Sequence, residues 1–256
     1  EEVVRELIEQ VGDRDVDAIG LNVAAIHSLW TLHGLGLLDG NHRQVSEAAI
    51  KALRHPSAGV RRNALAVLPP AADSVRAILD AGVTRDVDPQ VRLAAMLAIS
   101  DLSQSAAIDQ VAATASTPVG DALVASLSDP RNLADRWIPD AITSAAAMNA
   151  SEFLTACRGL NLNEDDRLRN RQLELLSVVA DHLVRGDQAE SAAAILASLS
   201  GAPSDVVRSI VVGMNRGWRS GIQVTLDGST ESELETLMQA VDGAARAELV
   251  RLGGRL

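Results

Sequence analysis

The sequence predicts an all-α protein, an α-solenoid of about 6 to 7 stacked antiparallel helix pairs. Three observations predict it. Hydrophobic residues make up 47% of the 256-residue chain while aromatics make up only 2%, with Phe153, three tryptophans and no tyrosine. Apolar residues recur at the spacing of one helix face, and a turn-then-helix phrase returns along the chain. Alanine loses no side-chain entropy in a helix and lets helices approach closely. Sandwiches and barrels draw instead on β-branched and aromatic residues. With 22% charged residues and this apolar content, a buried core is expected rather than disorder.

Glycine, proline and Asn/Asp clusters cut the chain into pieces of about 10 to 20 residues, and about 13 helices are expected. Val45, Ala48, Ala49, Ala52 and Leu53 form one buried stripe, and Val91, Ala94, Ala95, Ala98, Ile99 and Leu102 another. Thr230-Glu231-Ser232-Glu233 and Asp187-Gln188-Ala189-Glu190 have capping-box spacing, in which first and fourth side chains satisfy free backbone N–H groups. Pro89 and Pro203 sit near helix starts, where a missing N–H matters little. Gly34-Leu35-Gly36 lacks the preceding strand and G-x-G-x-x-G spacing of a phosphate loop, so it reads as a turn needing positive φ. Only Gly221–Gly228 reads as extended, either a loop or a cap.

The recurring phrase is a turn rich in Pro, Asp or Ser, then Val-Arg, then an Ala/Leu-rich helix. It stands as His55-Pro56-Ser57-Ala58-Gly59-Val60-Arg61-Arg62-Asn63-Ala64 and again as Asp86-Val87-Asp88-Pro89-Gln90-Val91-Arg92-Leu93-Ala94-Ala95. Looser copies are Asp166-Arg167-Leu168-Arg169-Asn170-Arg171 and Ser204-Asp205-Val206-Val207-Arg208-Ser209. The arginines at 61, 92, 169 and 208 lie 31, 77 and 39 residues apart. The long gap fits two repeats, the intervening one starting near Asp135-Arg136-Trp137-Ile138-Pro139. These copies resemble the HEAT-repeat family in its short bacterial form, with the pattern D-P-x-V-R-x-x-A. The resemblance implies one HEAT-like repeat domain over 1–256, each repeat two antiparallel helices. It also implies that Arg61, Arg92, Arg169 and Arg208 bond toward an acidic turn residue of a neighbouring repeat, as a structural ladder.

A narrower resemblance rests on Ala25-Ile26-His27-Ser28-Leu29-Trp30-Thr31-Leu32-His33-Gly34-Leu35-Gly36-Leu37-Leu38, the phrase at 55–64 and Ala244-Ala245-Arg246-Ala247-Glu248-Leu249-Val250-Arg251-Leu252. These are similar to the helical-repeat segment of large bacterial membrane-associated dehydrogenase-like proteins. In that family the segment lies between a sorbosone-dehydrogenase-like β-propeller and a c-type cytochrome domain, which implies a periplasmic or cell-envelope setting; without this resemblance a cytoplasmic one is expected. The chain opens already in helical pattern at Glu1-Glu2-Val3-Val4, as expected of a piece excised from a longer multidomain protein.

The formal net charge of −11 disfavours general nucleic-acid binding, which needs Lys and Arg against phosphates. Lys51 is the only lysine among 23 basic residues. No apolar run is long enough to span a bilayer. His27 and His33 are six residues apart, a poor spacing for metal ligands on one helix, so packing or turn bonding is expected of the five histidines. Cys157 has no C-x-x-C-H context for haem attachment and reads as a small core residue. No catalytic, cofactor-binding or metal residue is assigned. Glu164, Asp165 and Asp166 with Arg167, Arg169 and Arg171 read as a solvated helix start, with a docking rim as the alternative. Trp30, Trp137 and Trp218 each lie near a helix end; each either fills a gap between Ala-rich helices or, if exposed, anchors an interface. The expected function is a non-catalytic protein–protein interaction scaffold or interdomain spacer. A HEAT-like DNA glycosylase, built on a basic groove, is the alternative from another class, and the phycobilin-lyase repeat family shares only the phrase.

Overall fold

The computed structural model describes residues 2–103, 118–186, 191–219 and 227–254. Among them are fifteen α-helices and no strand, so the protein is all-α. The count exceeds the expected 13; helices of five residues, Pro130–Ala134, and of seven, Ala150–Ala156 and Ala192–Ser198, are too short to show apolar periodicity. The chain divides into two compact units, Glu1–Pro118 and Val119–Leu256.

The first unit holds α1 (Glu2–Gly12), α2 (Val23–Gly34), α3 (Arg43–Ala52), α4 (Ala58–Val67), α5 (Ala72–Ala81) and α6 (Pro89–Ser103). Helices joined by a turn pack on each other as α1 on α2, α3 on α4 and α5 on α6. Each also packs on the helix two places later, α1 on α3 on α5 and α2 on α4 on α6. The stripe at Val45, Ala48, Ala49, Ala52 and Leu53 is buried, as are Val91, Ala95, Ala98, Ile99 and Leu102, while Ala94 is half-buried. Their spacing turns them to one side, and removing each large aliphatic side chain from water contributes roughly 1.5–3 kcal/mol. Asp88 starts α6 by accepting from the N–H groups of Gln90 and Val91, leaving Pro89 at the first position where its lack of a donor costs nothing. Gly36 closes the turn after α2 with φ +71°, the left-handed conformation expected there.

The second unit holds α7 (Val119–Ser128), α8 (Pro130–Ala134), α9 (Ile138–Met148), α10 (Ala150–Ala156), α11 (Asp166–Arg185), α12 (Ala192–Ser198), α13 (Ser204–Gly217), α14 (Gly228–Ala240) and α15 (Gly243–Gly253). Again helices pack two apart: α7 on α9, α9 on α11, α11 on α13, α13 on α15, and α10 on α12 on α14. The α11–α13 seam is the tightest. A Cβ on Gly213 would overlap the Ser177 carbonyl and the Ala180 methyl, and one on Gly217 would overlap the Asp181 carbonyl and carboxylate. Two glycines four apart on α13 thus let the backbones meet, and Ser209 Oγ donates to the Leu173 carbonyl on the same seam.

Three local expectations need correction or fall outside the described residues. Thr230 is not a helix cap. The helix begins earlier, with Asp227 as N-cap accepting from the Thr230 N–H at 2.7 Å. Hydrogen bonding to that N–H also holds the Asp227 carboxyl below its ordinary range. The Asp187–Glu190 pattern and residues 221–226 of the stretch read as extended lie outside the described residues. Pro203 takes the N-cap position of α13.

Candidate functional site

The turns before α4, α6 and α11 share one arrangement. Arg61, in the first turn of α4, donates from Nη1 to the carbonyls of His55 (2.8 Å) and Pro56 (2.9 Å). Arg92, in α6, donates from Nη1 to the carbonyls of Asp86 (2.8 Å) and Val87 (3.2 Å), again six and five residues back. Arg169, in α11, donates from Nε to the Asn163 carbonyl six residues back at 3.2 Å. The guanidinium thereby closes each turn onto its own helix. Arg61 does more: Nε and Nη2 reach Asp86 Oδ2 and Oδ1, both at 2.7 Å, tying α4 to the turn before α6. Arg61 and Asp86 side chains are 12% and 10% exposed, so water screens the pair little. Burial alone raises the Asp86 pKa, but the Arg61 pairing and the Asp88 N–H outweigh it and hold the carboxyl below its usual range. Arg208 differs, since its partner is Asp205 in the first turn of its own helix, at 3.4 Å and exposed.

Other links were not legible as such. His55 is 3% exposed, its Nδ1 accepts from the Ser57 N–H at 3.0 Å, and its Nε2 lies 2.6 Å from the Asp13 carbonyl. These partners assign the proton to Nε2 and make the ring a bridge between the α3–α4 turn and the end of α1. Arg171 leaves the supposed solvated cluster and donates to the carbonyls of Leu133 (2.6 Å) and Asp135 (2.9 Å), before α9. Gln172, fully buried, donates to the carbonyls of Leu127 and Asn161 and accepts from the Asn163 N–H. The only available sign was a polar residue at a position of the apolar stripe. Asp165 caps α11 by accepting from the N–H groups of Arg167 and Leu168.

The tryptophans separate. Trp30 on α2 is 43% exposed, yet its Nε1 donates to Asn63 Oδ1 on α4 at 2.7 Å, and His33 meets it edge-on. Asn63 is held in turn by the Gly59 carbonyl, so the indole is set in one orientation while its face meets water. Trp137, at the N-cap of α9, is 55% exposed with the Arg136 guanidinium 4.6 Å from its ring centroid. The gap-filling reading therefore fails for these two. Trp218 is half-buried, and its buried Nε1 has no acceptor among the described residues.

Two grooves open on the surface of the described residues. One, of about 740 Å³, lies between α3 and α5; Arg43 pairs with Glu47 (2.8 Å) and Arg76 with Asp73 (2.6 Å), and Arg54 Nη2 donates to the Asp80 carbonyl at 2.6 Å. The other, of about 440 Å³, lies between α9 and α11 and is lined by Pro139, Asp140, Thr143, Arg171, Glu174, Leu175 and Val178. Cys157 is fully buried, and desolvation pushes its thiol well above the ordinary range, which keeps it protonated and unreactive. Among the described residues no three His, Cys, Asp or Glu side chains are placed to share a metal ion, and no helix is long and apolar enough to cross a membrane. No protein-family model matches this chain, and no curated protein matches it.

Proposed function

We propose that the chain is a HEAT-like α-solenoid that serves as a non-catalytic protein–protein interaction scaffold or interdomain spacer. The solenoid reading is supported by the packing of helices two apart in each unit and by the arginine-closed turns at 61, 92 and 169. The observation that carries the interaction reading is the placement of Trp30 and Trp137. In a chain with 2% aromatics, two of three tryptophans spend their large apolar faces on solvent. Each is oriented by a polar neighbour, Asn63 or Arg136, so little side-chain freedom is left to lose on binding. On the narrower resemblance, the partners are a sugar-dehydrogenase-like β-propeller and a c-type cytochrome domain, which this segment would hold in position.

The test is site-specific photo-crosslinking in source-cell extract from positions 30 and 137, with the exposed position 6 on α1 as control. The expected result is a discrete protein adduct from 30 or 137 and none from 6. Adducts from none of the three, or substrate turnover by the purified chain, would overturn the reading.

A further inference from the structure

We propose that the groove between α9 and α11 seats a cationic peptide segment, one that carries an aliphatic side chain beside its Lys or Arg. This rests on the interaction reading above and names the chemistry of one partner. Asp140 and Glu174 line the groove from its two walls; both are exposed, and neither has an ion-pair partner among the described residues. Of the nearby cations, Arg171 lines the same groove and keeps its charge. Arg171 gives Nη1 to the carbonyls of Leu133 and Asp135, and Arg136 lies over the Trp137 ring. Two carboxylates thus outnumber the one guanidinium of the groove, that of Arg171, beside apolar surface: Leu175 and Pro139 are buried, and Val178 is 42% exposed. Trp137, two residues before Pro139, adds an open aromatic face at the start of α9.

The opening is particular to this side of α11. Its other side meets α13 through Gly213 and Gly217 with the backbones in contact, leaving no room for a ligand. The α3–α5 groove offers no comparable pull, because Arg43, Arg54 and Arg76 match Glu47, Asp73 and Asp80 in its lining. A net charge of −11 also draws cationic segments toward the chain before contact. Lys or Arg between Asp140 and Glu174, with an aliphatic neighbour against Val178, fits both features of the groove.

The experiment uses the full chain and two fluorescent hexapeptides, alternating Leu-Lys and alternating Leu-Glu, followed by anisotropy at low and physiological salt. The Leu-Lys peptide is expected to bind, with perturbed backbone amide shifts confined to α9 and α11. Asp140→Asn with Glu174→Gln should weaken it about fivefold or more. Glu231→Gln with Glu233→Gln on α14 removes the same charge elsewhere and should leave it within about twofold. All four positions are exposed, and an unchanged melting temperature checks the fold of each variant. No binding, equal loss in the α14 control, equal affinity for the Leu-Glu peptide, or shifts spread outside α9 and α11 each overturn the assignment. If it falls while crosslinks from positions 30 or 137 still reach a protein, the scaffold reading survives. If those crosslinks are absent as well, both fall.

Discussion

Arg61 and Asp86, 25 residues apart, meet in a bidentate pair in which Nε faces Oδ2 and Nη2 faces Oδ1 at 2.7 Å each. The pair ties α4 to the turn before α6. The Asp86 carbonyl meanwhile accepts from Arg92, so one turn receives both arginines.

Arg61→Ala strands Asp86 with little water around it and leaves the carbonyls of His55 and Pro56 without that donor. A loss of about 2–4 kcal/mol in unfolding free energy is expected, measured by urea denaturation. Arg61→Lys should recover only part of it, because an ammonium cannot reproduce the planar two-point grip. Arg208→Ala, which removes an exposed pair within one helix turn, should change stability by less than about 0.5 kcal/mol.

The same pair sets a pH dependence. The folded Asp86 carboxyl titrates below its unfolded value, so its contribution is complete above the unfolded pKa of about 3.9 and is lost as pH falls through the folded one. Unfolding free energies of wild type and Asp86→Asn, compared between pH 6 and pH 3, should differ most at the upper end and converge at the lower. A gap that stays constant with pH would contradict this.

Gly213→Ala and Gly217→Ala put a methyl group into the α11 backbone. Each should cost about 2–4 kcal/mol by forcing α13 away from α11. Gly243→Ala, in the first turn of α15 with open space around it, should stay within about 0.5 kcal/mol of wild type or gain slightly. Thermal melts of the three variants side by side check the contrast.

Gln172→Leu keeps the volume of a buried side chain but removes two donors and an acceptor. The carbonyls of Leu127 and Asn161 and the N–H of Asn163 lose their partner, at a cost of about 2–3 kcal/mol. Amide exchange at Asn163 should accelerate in the variant.

Periodicity made the helices legible because burial selects one face, and the stripes at 45–53 and 91–102 are the buried ones with Ala94 half-covered. Helix ends were less legible. Thr230 and Asp227 both suit a cap, and which one serves depends on where the chain enters the helix. Long-range polar links were the least legible. Arg61, Arg92 and Arg169 announce themselves by a shared local phrase, and their six-back carbonyls follow from local geometry. Arg171 and Gln172 sit in the same stretch but reach partners 36 to 45 residues away, a choice made by tertiary packing alone. The tryptophans show the same limit. Composition marked Trp30 and Trp137 as unusual, but only the neighbouring helices decide which faces stay open.

In the proposed scaffold role the chain grips another protein through the solvent-facing indoles of Trp30 and Trp137. Its most direct test is calorimetric titration of the crosslinked partner, once identified, against wild type, Trp30→Ala and Trp137→Ala. At least one substitution is expected to weaken affinity about 30-fold or more, as for an interface anchor, with the melting temperature unchanged. Wild-type affinity in both variants would contradict it.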